Sequence, residues 1–172
     1  METTQTIDLT DQISQNRLIA KTDLKRQNLL VPRRPEYDLP NLPLNLTDLD
    51  DPTIMNLLTK FTAYQSHLSG QLAEAEIDEH AAESMLEVEK ARHLAKGWTG
   101  ESTSRVAVQK ANATMDPKIR QLSDELDVIK ARRKLLGIMV DTQSRGASVV
   151  SREISRRIGR EGHERRVDRF NP

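Results

Sequence analysis

The chain has 172 residues, 26 acidic and 26 basic side chains, 36% hydrophobic and 3% aromatic residues, and no cysteine. So thin an apolar content argues against a thick globular core and suits elongated helices with narrow seams. A disulfide framework and a Cys-based zinc site are excluded, and no stretch approaches the roughly 18 consecutive apolar residues of a membrane span. The opening METTQTIDLTDQ lacks the basic-then-apolar profile of a signal peptide. These features predict a cytoplasmic protein, in the host cell cytoplasm if viral.

Residues 1–30 carry weak helical periodicity, with Ile13, Leu18, Ile19, Leu24, Leu29 and Leu30 spread among polar residues. Thr10 or Asp11 is a candidate cap for one short helix. Next comes VPRRPEYDLPNLPLNLTDLDDP, which holds five of the seven prolines. Each proline fixes φ, removes a backbone donor and pushes the preceding residue out of the helical region. Residues 1–52 are therefore expected to form an N-terminal arm, partly extended or disordered. Its tyrosine and leucines equally fit a strap in a groove of the helical body or of a neighbouring subunit.

A first long helix is predicted to open at Asp51-Pro52-Thr53, a cap residue followed by proline at the first turn. Ile54, Leu57, Leu58, Phe61, Tyr64, Leu68, Leu72, Ala75, Ala82 and Leu86 lie near one stripe, with Glu79 as a polar gap. The helix is expected to end at Lys96-Gly97, some 65 Å on at about 1.5 Å rise per residue. GWTGESTS makes the bend, and 105–114 a short helix of small packing residues. Met115-Asp116-Pro117 starts the second long helix.

That second helix carries the strongest pattern in the chain. Ile119, Leu122, Leu126, Ile129, Arg133, Leu136, Val140, Gln143, Ala147, Val150 and Ile154 recur at alternating spacings of three and four. A 3.5-residue repeat held this long must bury one narrow stripe against a partner helix, from its own chain or another copy. Two long helices with one short connection fold back on each other. The reading is all-α: a long antiparallel, coiled-coil-like hairpin over 53–158, bent near 97–116, with the Pro-rich N-terminal arm and oligomeric assembly. Arg157 falls near the seam, where an unpaired cation is costly, so the seam is expected to open there. Residues 159–172 form a basic C-terminal tail expected to fray.

The signals for catalysis are weak. His67, His80, His93 and His163 fit no metal-binding spacing, and Gly97-Trp98-Thr99-Gly100 is too short for a phosphate-cradling loop. Asp78, Glu83 and Glu87 read as an exposed helical face, not a general acid–base pair in a pocket. No enzyme activity, metal or cofactor is expected.

Charge, by contrast, is patterned. Residues 53–97 hold 4 Lys/Arg against 7 Asp/Glu, whereas residues 117–150 and 151–172 each hold 7 against 4. An acidic-to-basic gradient fits either head-to-tail association or a basic end that meets nucleic acid. Two basic regions are candidates. Lys90, Arg92 and Lys96 end the first helix, with Trp98 and Lys110 nearby, matching a site that tracks phosphates with cations and stacks bases on an aromatic. Arg152, Arg156 and Arg160 repeat every fourth residue as a secondary ridge, flanked by Ser151 and Ser155, and arginine forks suit phosphate. Both regions also fit ordinary solvated helix faces.

The order of features in 53–158 resembles the recombination mediator family of T-even-type phages, the UvsY-like proteins. There a long helix ends in a Lys-Ala-Arg motif before a Gly-containing turn, as in VEKARHLAKGWTGE here. A short small-residue helix then leads into a second long helix with a terminal pattern like SRGASVVSREISRRI. The resemblance covers about two-thirds of the chain. It implies a non-enzymatic helical protein, assembled as a homo-oligomer, that binds single-stranded DNA. It also implies help in loading a RecA-type recombinase onto strands covered by single-strand-binding protein. Only Lys90 and Arg92 match that family's DNA-contacting cations. The longer proline-bearing arm and the basic C-terminus depart from the family pattern. The competing expectation is a phage scaffold or neck component acting only through helix-mediated protein contacts.

Overall fold

A computed structural model describes residues 9–96, Ala111 and residues 113–170, with side chains except those of Lys96, Gly162 and 164–170. Among these residues there is no strand, and most are helical. Helix α1 spans Leu9–Arg26, a short 3-10 turn Leu46–Asp48, α2 Asp51–Lys96 and α3 Pro117–Phe170. None of these helices is long and apolar enough to cross a membrane.

The element boundaries follow from local chemistry. Thr10 and Asp11 are helical, within the first described turn of α1, and so do not cap it from outside. It ends in a Schellman motif: Leu29 N–H donates to Leu24 O at 2.9 Å and Asn28 N–H to Lys25 O at 3.1 Å. That motif needs a left-handed residue, and Asn28 supplies it at φ 57°, a conformation asparagine tolerates better than most residues. α2 opens at Asp51-Pro52 and α3 at Pro117. Asp116 caps α3 through Oδ1, which accepts from Lys118 N at 2.8 Å and Ile119 N at 3.2 Å. α3 does not fray after Ile158 as expected but continues to Phe170; no proline or strong breaker follows Pro117 until the last residue.

The chain divides into two units, residues 1–31 with 71–135 and residues 32–70 with 136–172, and within each a stretch of α2 packs hairpin-like against a stretch of α3. In the first unit, Leu9 of α1 joins Ala82 and Leu86 of α2 and Ala113, Ile119, Leu122 and Leu126 in one buried cluster, with Ile13, Met85 and Ile129 against it. Each leucine fully buried this way contributes about 1.5–3 kcal/mol. Cross-hairpin ion pairs run alongside: Lys118–Glu89 at 3.3 Å, Lys130–Glu83 at 2.8 Å and Arg133–Glu79. The polar gap at Glu79 and the single cation of the heptad seam thus face each other. Arg133 Nε lies beside the Glu79 carboxylate without the alignment of a hydrogen bond.

Asp78 is not on an exposed face. It is 3% exposed, because Arg17 of α1 lies over it, donating from Nε to Oδ1 at 2.6 Å and from Nη2 to Oδ2. Arg132 adds a second cation at 3.6 Å. A carboxylate so buried needs such partners, and the pairing raises the Arg17 pKa, chiefly through the hydrogen bond to Asp78.

In the second unit, Ile54, Phe61, Ala147 and Val150 form the buried cluster, with Leu46, Leu49, Leu57, Leu58 and Ile154 packed on it. Gly146 is the close-approach residue: a Cβ there would lie 2.7 Å from Phe61 Cδ1 and 2.8 Å from Cζ, closer than packed carbons approach. Every described seam position of α3 is buried or half-buried in its unit. Buried Gln143 has an Oε1 without a hydrogen-bond partner; a polar seam residue of this kind fixes register at a cost in stability.

The proline-bearing residues of this unit have specific contacts. Tyr64 Oη donates to Tyr37 O, the two rings meet edge-on at 5.6 Å, and Lys60 Nζ sits 5.5 Å from the Tyr37 ring centre. His67 Nδ1 is 3.2 Å from Pro32 O. Arg157, where the seam is expected to open, is fully engaged. It pairs with Glu153 at 2.9 Å and Asp51 at 2.6 Å, and donates to Thr47 O at 2.9 Å. The 3-10 turn brings carbonyls to the end of the seam, and residues 158–161 beyond Arg157 are exposed, so the buried stripe ends there as expected.

Candidate nucleic-acid interface

The first basic region lies in the first unit, on the last turns of α2. Lys90 and Arg92 are two residues apart, about 200° around a helix, so they leave in different directions. Their side chains are 37% and 45% exposed, open to solvent and outside the seam. Each meets a carboxylate one turn back: Lys90 Nζ lies 2.9 Å from Glu87 Oε1, and Arg92 Nη1 donates to Glu89 Oε2 at 2.8 Å. Such i,i+3 surface pairs contribute only a few tenths of a kcal/mol, but they lower the local positive potential.

α3 adds a cation that the sequence pattern does not reveal. Lys118 Nζ reaches the same Glu89 Oε2 at 3.3 Å. The Asp116 cap fixes the backbone of Lys118, and the positive end of the α3 dipole lies beside it. His93, half-buried, places Nε2 3.8 Å from Asp116 Oδ2, while its Nδ1 is buried without a partner. The Glu-x-x-Arg spacing is a visible signal for Glu89; the convergence of Lys118 is not, because it depends on hairpin register. Lys96 ends α2, but its side chain, together with Trp98, Lys110 and nearly all of the expected 105–114 helix, falls outside the described residues.

The second basic region lies in the second unit, and its arginines differ in their partners. Arg156 is clamped on Glu153 by two bonds of 2.7 Å. Two arginines on Glu153 hold its carboxyl down to about 2, first through the Arg156 hydrogen bond and then that of Arg157. Arg152 is exposed, has no ion-pair partner among the described residues, and borders an open groove of about 420 Å³ lined also by Leu58, Gln65, Ser144, Ala147, Ser148 and Ser151. Ser155 Oγ is returned to Ser151 O at 3.0 Å, and Arg160 is exposed. Elsewhere among the described residues, no three His, Asp or Glu side chains are grouped to hold a metal ion.

A scan of protein-family models finds no match, and searches of curated proteins and of solved structures find no similar chain.

Proposed function

We propose that this chain is a non-enzymatic, single-stranded-DNA-binding recombination mediator. It acts in the cytoplasm as a homo-oligomer and helps load a RecA-type recombinase onto strands covered by single-strand-binding protein. The observation that carries the reading is the pair Lys90 and Arg92: both lie in the VEKARHLAKGWTGE motif, both are half-exposed, and both sit at the end of a long helix. The proline-bearing arm serves as an extended strap, and copies associate through helix faces. On α3, Val128 and Leu135, seven residues apart, are 70% and 62% exposed and offer apolar surface that the chain itself leaves open. Few phosphate contacts per copy then suffice, because linked copies multiply weak contacts into affinity.

A second reading, a phage scaffold or neck component acting only through helix contacts, draws on one observation: Glu87 and Glu89 already pair with the two cations. Anisotropy titration of a labelled single-stranded oligonucleotide with the assembled protein, alongside its solution mass, separates the two. Salt-dependent binding without sequence preference is expected, since phosphates carry no base information. An assembled protein with no single-strand affinity at low salt would establish the second reading.

A further inference from the structure

We infer that Glu89 occupies the seat of a backbone phosphate, in an anion site that α2 and α3 build together from Arg92 and Lys118. The inference rests on the DNA-binding reading and goes beyond it, naming a third DNA-contacting residue and a built-in competitor. Three facts support it. Both cations converge on one oxygen, Glu89 Oε2, at 2.8 and 3.3 Å, as two donors do on a phosphate oxygen. The carboxylate lies beneath them: its side chain is 18% exposed, against 45% for Arg92 and 46% for Lys118. An incoming strand therefore meets the cations first. Finally, carboxylate and phosphodiester each carry one negative charge, so the exchange leaves the charge facing the cations unchanged.

Geometry favours this seat over the neighbouring pair. Glu87 is 72% exposed and, among the described residues, pairs with Lys90 alone, so there it neither gathers two cations nor lies under them. At the Glu89 seat the α3 amides are already taken by the Asp116 cap. Contact with an anion thus falls to the two side chains, with the helix end adding positive potential. Exposed ion pairs cost little to break, so the long side chains can swing from Glu89 to a phosphate. The tethered carboxylate keeps affinity per copy low and makes binding depend on several copies engaging together.

The test uses the full-length assembled protein and a labelled oligo-dT strand, titrated at several salt concentrations. Glu89→Gln keeps the side-chain shape while removing the competing charge. It is expected to bind severalfold tighter at low salt, with a steeper salt dependence, by about 0.7 per additional phosphate neutralised. Lys118→Ala is expected to bind more weakly with a shallower slope, and to cancel most of the gain when combined with Glu89→Gln. Circular dichroism and solution mass confirm that each variant is folded and assembled. If the parent binds and loses affinity in the Lys90→Ala/Arg92→Ala variant, yet Glu89→Gln and Lys118→Ala bind like the parent, the phosphate seat is wrong and the DNA reading stands. If neither the parent nor Glu89→Gln binds the strand at low salt, both fall.

Discussion

The two units solve the problem of a thin core differently. The first, residues 1–31 with 71–135, lines its leucine-rich cluster with ion pairs: Arg17 on Asp78, Lys21 on Glu74 at 2.9 Å, Lys130 on Glu83, Arg133 on Glu79 and Lys118 on Glu89. The second, residues 32–70 with 136–172, relies on steric fit, with the Phe61 ring laid against Gly146 and Val150 fully covered. Its ionic contacts concentrate at Glu153 and Arg157. The difference teaches where each kind of damage should register. Ion pairs with one exposed partner are individually weak and screened by salt, so the first unit depends on its leucines and the second on its shape.

The largest effect is expected at the leucine cluster. Leu126 is 6% exposed and Leu135, nine residues on, is 62% exposed. Leu126→Lys buries an unpaired charge and should cost about 3–5 kcal/mol, enough to unfold a chain of ordinary stability. Leu135→Lys should keep the helicity of the chain and act on assembly mass instead, because Leu135 is exposed and outside the seam. Equal damage from both, read by thermal denaturation, would mean that the seam does not distinguish the two faces of α3.

Glycine sharpens the comparison on the second unit's side, because one substitution should change sign with position. Gly146→Ala drives a methyl into the Phe61 ring and should destabilise by about 1–3 kcal/mol, the usual range for overpacking. Gly137→Ala and Gly159→Ala meet open space on the same helix. Each should stabilise by up to about 1 kcal/mol, through helix propensity and a less flexible unfolded chain. Denaturant midpoints of the three variants decide it.

A smaller effect is expected from acid. The Glu153 carboxyl, held from 4.5 down to about 2 by Arg156 and Arg157, binds its proton less readily in the folded chain. Its stabilising contribution is therefore complete above about pH 4.5 and is lost as pH falls from there through 2. Glu83, lowered by its Lys130 hydrogen bond, moves in the same direction. Glu153→Gln should flatten the loss of stability between pH 5 and pH 2 without changing its sign. An unaltered pH profile would mean that the arginine pair does not hold this carboxylate in solution.

How much of this is legible in the sequence depends on the range of each contact. The heptad seam is readable in full, because a 3.5-residue period is written in one continuous segment; even its exceptions, Arg133 and Gln143, sit at seam positions in the structure. The start of α2 is readable from Asp-Pro, while Gly97, its expected stop, lies outside the described residues. Asp78 reads wrongly as exposed because its cover comes from Arg17, sixty-one residues away, and nothing local to α2 announces that. The partners of Arg157 are hidden for the same reason: Thr47 and Asp51 lie more than a hundred residues away in sequence. At the candidate interface the sequence places Lys90 and Arg92 on the surface. It gives no hint that Lys118 would meet Arg92 at one carboxylate oxygen, since that requires the register of α2 against α3.

The claim that single strands are bound at the end of α2 is tested most directly by the Lys90→Ala/Arg92→Ala variant, titrated against a single-stranded oligonucleotide over a range of salt. Neither residue is part of a buried cluster, so helicity and assembly mass should survive. Affinity should fall, and the salt slope should flatten by about 0.7 for each phosphate that the variant no longer neutralises. An Arg152→Ala/Arg156→Ala/Arg160→Ala variant of the secondary region should bind nearly as the parent does. The opposite outcome, normal binding by the Lys90/Arg92 variant and none by the Arg152/Arg156/Arg160 variant, would contradict the account.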